Sequence, residues 1–385
     1  TQIQTALAVF DTQFATNVFW TRTDQPPGAT FGAGIPVSNQ RDQAAFSSSL
    51  SKMTATGGTA GINFNTNYLF LPGKRGTRFV LDPATGLPIL VPFGPMAQYT
   101  PNLELTLKQP LLKGAGTDFN RAPIVIARLL SDQSLWTFKE SVLSLVRSVE
   151  EAYWNLHAAH VALRSVEEVL PLAQEAVRIT QVNVEEGALI QADLGQVQNQ
   201  FVEFRQQRVQ ALSAVLDRET ILRNLLGLPP SDGRRIVPSA DPQRVPIVID
   251  WPATVRAALQ HRPEVARQRL AVRVRELELL VAKNGLKPQL DVEGLWRING
   301  LANELDEAIG ALNDNQFTDW QLGVTLTVPL GFRQASAQVH AANLQLDKDR
   351  ALLQQTVHAT THRLNDIVRD LDALYQQYLD AQQRH

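Results

Sequence analysis

The 385-residue sequence contains no cysteine. A disulfide framework and a thiolate metal site are therefore both excluded, and the redox compartment leaves no mark on the chain. An excess of one charge is equally absent. Thirty-six Lys and Arg stand against 38 Asp and Glu, a formal net charge of -2, so bulk charge gives nucleic acid nothing to hold. No run of about twenty apolar residues occurs, which excludes a spanning helix, and no signal peptide opens the chain. Thr1 is not a start methionine and His385 lies inside an unfinished helical pattern. The sequence thus reads as a trimmed piece of a longer chain, and missing targeting signals count for little. What is present is a 44% hydrophobic fraction, the composition of an ordered protein of one or two domains.

The first organised feature is strict alternation. In N-L-E-L-T-L-K-Q-P-L-L-K-G, from Asn102, the side chains of Leu103, Leu105 and Leu107 point one way while Glu104, Thr106 and Lys108 point the other, as successive side chains in a strand must. The pattern returns from Gln289, with Leu290, Val292, Trp296 and Ile298 against Asp291, Glu293, Arg297 and Asn299. It returns again from Trp320, where Leu322, Val324, Leu326 and Val328 oppose Gln321, Gly323, Thr325 and Thr327. Near the start, Phe10, Phe14, Val18 and Trp20 oppose Asp11, Gln13 and Asn17. Each segment runs about ten residues, the length with which a tilted strand crosses a bilayer. A single strand of this kind is more simply part of a half-buried sheet with its polar face in water. Three observations favour the membrane: polar faces that carry Asp, Glu, Arg and Lys as a wet lumen allows; Trp20, Trp296 and Trp320 at matching strand ends, as in an interfacial belt; and helices far too long to cover a small sheet.

Those helices carry a sustained seam. From Leu145, the positions Val149, Ala152, Leu156, Ala159, Leu163, Val166, Leu170, Ala173, Val177, Thr180 and Val184 alternate steps of three and four, the heptad pattern of coiled-coil packing. The helix is expected to start near Asp118, to be bent or bulged at Pro171, and to stop at Gly187. About 69 residues at 1.5 Å each make a rod of about 100 Å. A second helix, with Ile190, Leu194, Val197, Phe201 and Leu222 on its seam and Arg208 and Arg218 interrupting it, closes at L-L-G-L-P-P. A Pro-rich connector follows, and then one further helix is expected from Trp251 to about Asn284. Together the two return segments match the outgoing rod in length. L-E-L-T-L-K-Q-P-L from Leu103 matches L-G-V-T-L-T-V-P-L from Leu322 at five of nine positions, each directly before a long helical pattern, which indicates an internal repeat.

The order of these features resembles the TolC-like outer membrane efflux protein family. The resemblance is carried by P-L-L-x-G after the strand from Asn102, V-E-E-A-Y-W-N-L (Val149 to Leu156), a Gly-centred tip with Asp193 beyond it, L-L-G-L-P-P, A-A-L-Q-H-R-P-E-V and L-K-P-Q-L. It covers the chain except residues 23 to 97. The fold class it implies is mixed α and β: long antiparallel helical hairpins joined to amphipathic transmembrane β-strands, two repeats per chain, in a trimer whose protomers each give four strands to a twelve-stranded barrel. The expected boundaries are a first β-hairpin region at 1–117 with a long extracellular insertion at about 23–97, a helical hairpin at 118–228 with its tip near Gly187, a connector at 229–250, a return helix at 251–288, a second β-hairpin at 289–329, and the start of a second long helix at 330–385.

In functional terms the resemblance implies an outer membrane exit duct that extends into the periplasm. It would pass small molecules or secreted polypeptides from a periplasmic adaptor and an inner-membrane pump, in efflux or type I secretion. On this reading Phe14, Trp20, Leu103, Leu105, Leu107, Val292, Trp296, Trp320, Leu322, Val324 and Leu326 face lipid. Glu104, Thr106, Asp291, Glu293 and Thr325 face the lumen, and Val182, Val184, Gly187, Ala188, Leu189, Ile190 and Asp193 form an adaptor-docking tip. The alternative is a soluble coiled-coil periplasmic adaptor or scaffold with a small β domain. One segment departs from the family pattern: around residues 44–70, Ile62, Phe64, Tyr68 and Phe70 alternate with Asn63, Asn65 and Asn67. An elaborated extracellular loop is the favoured reading and two added barrel strands the other, because twelve strands already close a barrel.

No catalytic, cofactor-binding or metal-ligating set is expected. His157 with His160, and His358 with His362, share helix faces but lie outside any H-E-x-x-H pattern, and packed or solvated histidines explain them better. G-K-R-G-T at Gly73 lacks phosphate-loop spacing. K-G-A-G-T-D at Lys113 precedes a helix, where an anion site is conceivable, but a chain-redirecting turn is the simpler reading.

Overall fold

The computed structural model describes residues 2–24, 40–71, 76–82, 85–93 and 96–383. They fall into two compact units, one formed by residues 1–133 and 268–355 and the other by 134–267 and 356–385.

The first unit is built on a six-stranded antiparallel sheet. After a short helix, α1 (Gln2–Ala8), come β1 (Gln13–Thr23), β2 (Arg41–Met53) and β3 (Thr59–Leu71). A small separate hairpin follows, β4 (Gly76–Leu81) with β5 (Pro88–Phe93), and then β6 (Met96–Pro110). Much later the chain adds β7 (Gln289–Asn299) and, after α6 (Leu305–Asn313), β8 (Phe317–Thr327). The order across the sheet is β1-β2-β3-β6-β7-β8.

The favoured reading of the 44–70 segment is therefore corrected: it is two strands of the main sheet, not a loop above it. The physical reason is the pairing available. Twelve residue pairs join β2 to β3, and thirteen join β3 to β6, from Thr59 with Lys108 to Leu71 with Met96. The first strand also begins later than expected, leaving Phe10 in a turn behind α1. The second alternating strand begins earlier, at Met96.

Helices fill the rest. α2 (Thr117–Glu185, 69 residues) continues without a break through Pro171, and α3 spans Gln191–Leu225. The expected single helix from Trp251 is two, α4 (Trp251–His261) and α5 (Pro263–Asn284). Pro263 explains the break. A proline lacks the N–H that would continue the ladder and forces the preceding residue out of the helical region, and Arg262 has ψ 124. α7 (Arg333–Gln383) closes the described chain.

In the second unit the heptad seam is the least exposed stripe of α2. Ala152 and Leu156 are buried, and Ala159, Leu163, Val166, Leu170, Ala173, Val177, Thr180 and Val184 are half-buried between exposed neighbours. Ala152 and Leu156 pack with Val215 and Leu222 of α3 into a small core, closed at its rim by Val149, Leu225 and Ile236.

Candidate functional site

The register of the sheet sorts its residues into two unlike faces. One row runs Phe14, Leu50, Ile62, Leu105, Trp296, Trp320, strand by strand. Its neighbours repeat the theme: Leu103 stands between Phe64 and Ile298, Leu107 beside Gly294, Val292 opposite Val324, and Leu290 opposite Leu326. All eleven residues expected to face lipid share this apolar face. It is uncovered: Phe14, Trp20, Trp320, Leu322, Val324 and Leu326 are each more than 60% exposed (71, 67, 76, 68, 65 and 62%). Aromatic rings cluster where Trp20, Tyr68 and Tyr99 meet, at centroid distances of 5.9 and 4.8 Å. Trp296 and Trp320 are direct register partners. Side-chain hydrogen bonds on this face include Thr16 Oγ1 to Ser48 Oγ at 3.4 Å and, at its helical end, Thr56 Oγ1 to Gln109 Oε1 at 3.2 Å.

The opposite face is polar and internally paired. Lys108 Nζ reaches Glu293 at 2.6 Å and Asp291 at 3.2 Å. Arg297 lies 3.3 Å from Glu104 and 3.8 Å from Asp319. Asn63 Nδ2 donates to Glu104 Oε1 at 3.3 Å, Asn65 Nδ2 donates to Asn102 Oδ1 at 3.0 Å, and the Thr106 hydroxyl donates to the Gly61 carbonyl. The five residues expected to face a lumen, Glu104, Thr106, Asp291, Glu293 and Thr325, are all on this side. β2 and β3 extend it with Ser47, Ser49 and Ser51 and with Asn63, Asn65 and Asn67, small neutral groups that the sequence reading had assigned to a loop.

At the far end of α2, Gly187 adopts φ +75, a left-handed conformation that costs a residue with a Cβ more than glycine. Ala188 N and Leu189 N donate back to the Asn183 carbonyl at 2.8 and 3.2 Å. Ile190 caps the start of α3, and its N–H donates to Asp193 Oδ2 at 3.1 Å, so Asp193 satisfies a helix-start donor. The apolar residues of this turn remain open: Val182 and Leu189 are each 38% exposed and Ile190 is 67% exposed, while Val184 is half-buried on the seam.

A polar knot missed in the sequence ties the connector to α3. Arg223, 3% exposed, donates from Nε to Glu219 at 2.8 Å and from its terminal nitrogens to the Pro229 and Arg234 carbonyls, with Asp232 at 3.0 Å. Glu219 in turn accepts from Ile236 N at 3.2 Å. Asp232 is held below the usual carboxylate range by the Arg223 guanidinium and by the Arg234 N–H. Arg208, read as interrupting the α3 seam, reaches Glu167 on α2.

The remaining candidates take structural roles. His160 contacts the Ile236 carbonyl at 3.4 Å, His157 stacks edge-on against Trp154, and the rings of His358 and His362 lie 4.3 Å apart. Among the described residues no group of three His, Cys, Asp or Glu is placed to hold a metal ion. The loop at Lys113 spends its donors internally, Gly114 N on Asn284 Oδ1 at 2.7 Å and Gly116 N on the Thr56 carbonyl at 3.2 Å, which leaves the turn reading. Most of G-K-R-G-T at Gly73 lies outside the described residues. No helix among the described residues is long and apolar enough to cross a membrane.

The family model described as outer membrane efflux protein matches residues 99–228. No curated protein matches the chain. Among solved structures, the CmeC outer membrane channel of Campylobacter jejuni is similar with a TM-score of 0.59 at 16% identity, over 99% of this chain and 67% of that one. The outer membrane protein VceC of Vibrio cholerae gives 0.62 at 14%, over 99% and 74%. The MtrE outer membrane channel of Neisseria gonorrhoeae gives 0.55 at 14%, over 100% and 69%. At these identities the likeness is one of fold: mixed helices and strands arranged as in these channels.

Proposed function

We propose that this chain, whose residues 99–228 match the family model described as outer membrane efflux protein, is one protomer of a trimeric outer membrane exit duct. The observation that carries the reading is the two-faced sheet. A compact soluble β domain, as in the adaptor alternative, buries its apolar face; here that face is continuous over six strands and open. Lipid covers such a face without further protein, and a wet lumen solvates the Lys108, Glu293 and Arg297 side. Among the described residues, β1 and β8 each have one unpaired edge. In hydrocarbon every unsatisfied backbone group on such an edge costs several kcal/mol, so copies must close on one another.

The two strand-to-helix passages, β6 into α2 and β8 into α7, are then two repeats of one plan, in keeping with the L-x-x-T-L-x-x-P-L match. The α2–α3 turn docks a periplasmic adaptor coupled to an inner-membrane pump, with Val182, Val184, Ala188, Leu189 and Ile190 as its apolar contacts, Gly187 as the turn residue and Asp193 as its fastener. Substrates are small molecules or secreted polypeptides, and no catalytic step is assigned to the chain. Native mass spectrometry of the full-length protein extracted from outer membranes in detergent tests the assembly: three copies are expected, and a stable monomer without detergent would refute it. Photocrosslinking from Ala188 or Gln191 in cells that express a cognate pump tests the tip. Adducts formed only with sister protomers would remove the adaptor from the proposal.

A further inference from the structure

We infer that β2 and β3 stand in the barrel wall, so that each copy of this chain contributes six strands and three copies close an eighteen-stranded barrel. The number of copies rests on the trimeric reading above; the number of strands per copy rests on two observations in the sheet itself, and a third condition, parity, is met as well.

The first is where the β2–β3 turn ends. A hairpin projecting outside the membrane would leave its turn remote from the helices. Here residues 54–58 are fastened to the passage from β6 into α2. The Thr56 carbonyl accepts from Gly116 N at 3.2 Å, and Thr56 Oγ1 donates to Gln109 Oε1 at 3.2 Å. Gly57, at φ +91, lies so close that a Cβ would meet the Gly114 carbonyl oxygen at 2.2 Å and Asn120 Nδ2 at 2.6 Å. The hairpin therefore runs the full depth of the sheet to the helical side.

The second is the continuity of the faces. On the apolar side of β2 the residues are Ala44, Phe46, Ser48 and Leu50, and the first charges are Asp42 and Lys52. Ten residue steps of about 3.3 Å, tilted about 40°, span about 25 Å along the membrane normal, the height of the apolar band of an outer membrane barrel.

Parity permits the arrangement. β1, β2, β3, β6, β7 and β8 alternate in direction. With six strands, β8 of one copy therefore meets β1 of the next antiparallel, and the free edges are of equal length, 11 residues each. The added hairpin is neutral in this respect, since without β2 and β3 the strand β1 would still meet β6 antiparallel.

The consequence is a wider duct at the membrane. With strands about 4.8 Å apart and tilted about 40°, eighteen give a backbone diameter of about 36 Å and twelve about 24 Å. The extra wall presents Ser47, Ser49, Asn63, Asn65 and Asn67 to the lumen, groups that bind no ion strongly and leave a neutral, wet surface for bulky cargo.

Because the sequence has no cysteine, introduced pairs are the only thiols in it, and short-range crosslinking in intact outer membranes tests the arrangement. Asn17→Cys with Ser47→Cys, and Asn65→Cys with Asn102→Cys, are expected to link within one chain, as their register demands. Ala15→Cys combined in turn with Gln321→Cys, Gly323→Cys and Thr325→Cys is expected to give two- and three-chain species. Linkage of Asn17→Cys to Asn102→Cys instead would put β1 directly against β6, expel the hairpin from the wall and overturn the proposal. Electron cryomicroscopy of the unmodified full-length protein in nanodiscs supplies the second measurement. Three copies with a wall of about 36 Å support eighteen strands, and three copies with about 24 Å refute them while leaving the trimer standing. Any other copy number refutes the trimer and, with it, the number eighteen.

Discussion

Leu105 and Thr106 are adjacent residues on β6 and should respond oppositely to the same substitution. Leu105 sits inside the apolar face between Ile62 of β3 and Trp296 of β7, so Leu105→Arg puts a guanidinium where lipid is proposed, well inside the band. An arginine at the midplane of a barrel's lipid face costs about 2–4 kcal/mol, and three copies raise that to roughly 6–12 kcal/mol per trimer, comparable with the whole stability of an ordinary domain. Thr106 points the other way. Its neighbour Gly61 has no side chain to obstruct a longer residue, and Glu104 and Glu293 lie on the same face as partners for the new charge. Thr106→Arg should therefore leave trimer yield within about twofold, whereas Leu105→Arg should reduce it at least tenfold. Quantifying trimers that resist dissociation by detergent until heated, from purified outer membranes, reads the difference, and the pair Val324→Arg and Thr325→Arg repeats the comparison on β8. Equal loss at both members of each pair, or equal tolerance, would show that the two faces do not meet two different solvents.

Leu156, fully buried in the α2–α3 core, should lose about 2–5 kcal/mol on truncation to Ala, the usual range for a buried leucine whose site relaxes only partly; thermal melting of the detergent-solubilised protein measures it. Asp232 is depressed by Arg223, so the stability it contributes is complete above the ordinary carboxylate value of about 4 and is lost as pH falls through its lower folded value. Pepsin cleavage of residues 229–236 should rise over that interval, and Asp232→Asn should raise cleavage at neutral pH, read with a neutral protease, while removing the acid dependence. Gly187→Trp should abolish export in cells with the cognate pump while trimers form normally, because the strain is confined to one turn at φ +75; normal export would show that the turn makes no contact that matters.

Local pattern carried much of this architecture. β6, β7 and β8 were legible because each has an apolar side chain at nearly every second position, a signal that needs no partner. β2 was not. Its inward and outward residues are Ala, Phe, Ser and Leu against a row of serines, and it becomes a strand through twelve register pairs with β3, which no local window contains. Helix α2 was readable to within a residue at its start, since a heptad seam and a terminal glycine act locally. The break between α4 and α5 was also written locally, in Arg262–Pro263, but the apolar period on both sides masked it. Arg223 illustrates the remaining limit. A charged residue near the end of an amphipathic helix reads as solvated, and only the fold of the connector, which brings two carbonyls and a carboxylate to it, makes burial tolerable.

The join between strand and helix follows from one requirement. Strand residues satisfy their backbone through neighbouring strands and helix residues through themselves, so the few residues between them need other partners. In the passage from β6 to α2 these are supplied one by one. Leu111 N donates to the Leu290 carbonyl and Lys113 N to the Pro288 carbonyl. The buried Asn284 side chain accepts from Gly114 N, and the buried Asn120 amide donates to the Gly114 and Gly116 carbonyls at 2.9 and 2.8 Å. Gly114 and Gly116 make the turn itself, at φ +82 and +103, and the β2–β3 turn closes over it through Gly57 and Thr56. Each partner comes from a different part of the chain: α5, α2 itself, β7 and the added hairpin. A duct that passes from a β wall in lipid to helices in water requires such a junction at every crossing. In this chain the β2–β3 turn is fastened at that junction through Thr56 and Gly57, so on the six-strand proposal one hairpin would both widen the wall and close over its passage into the helices.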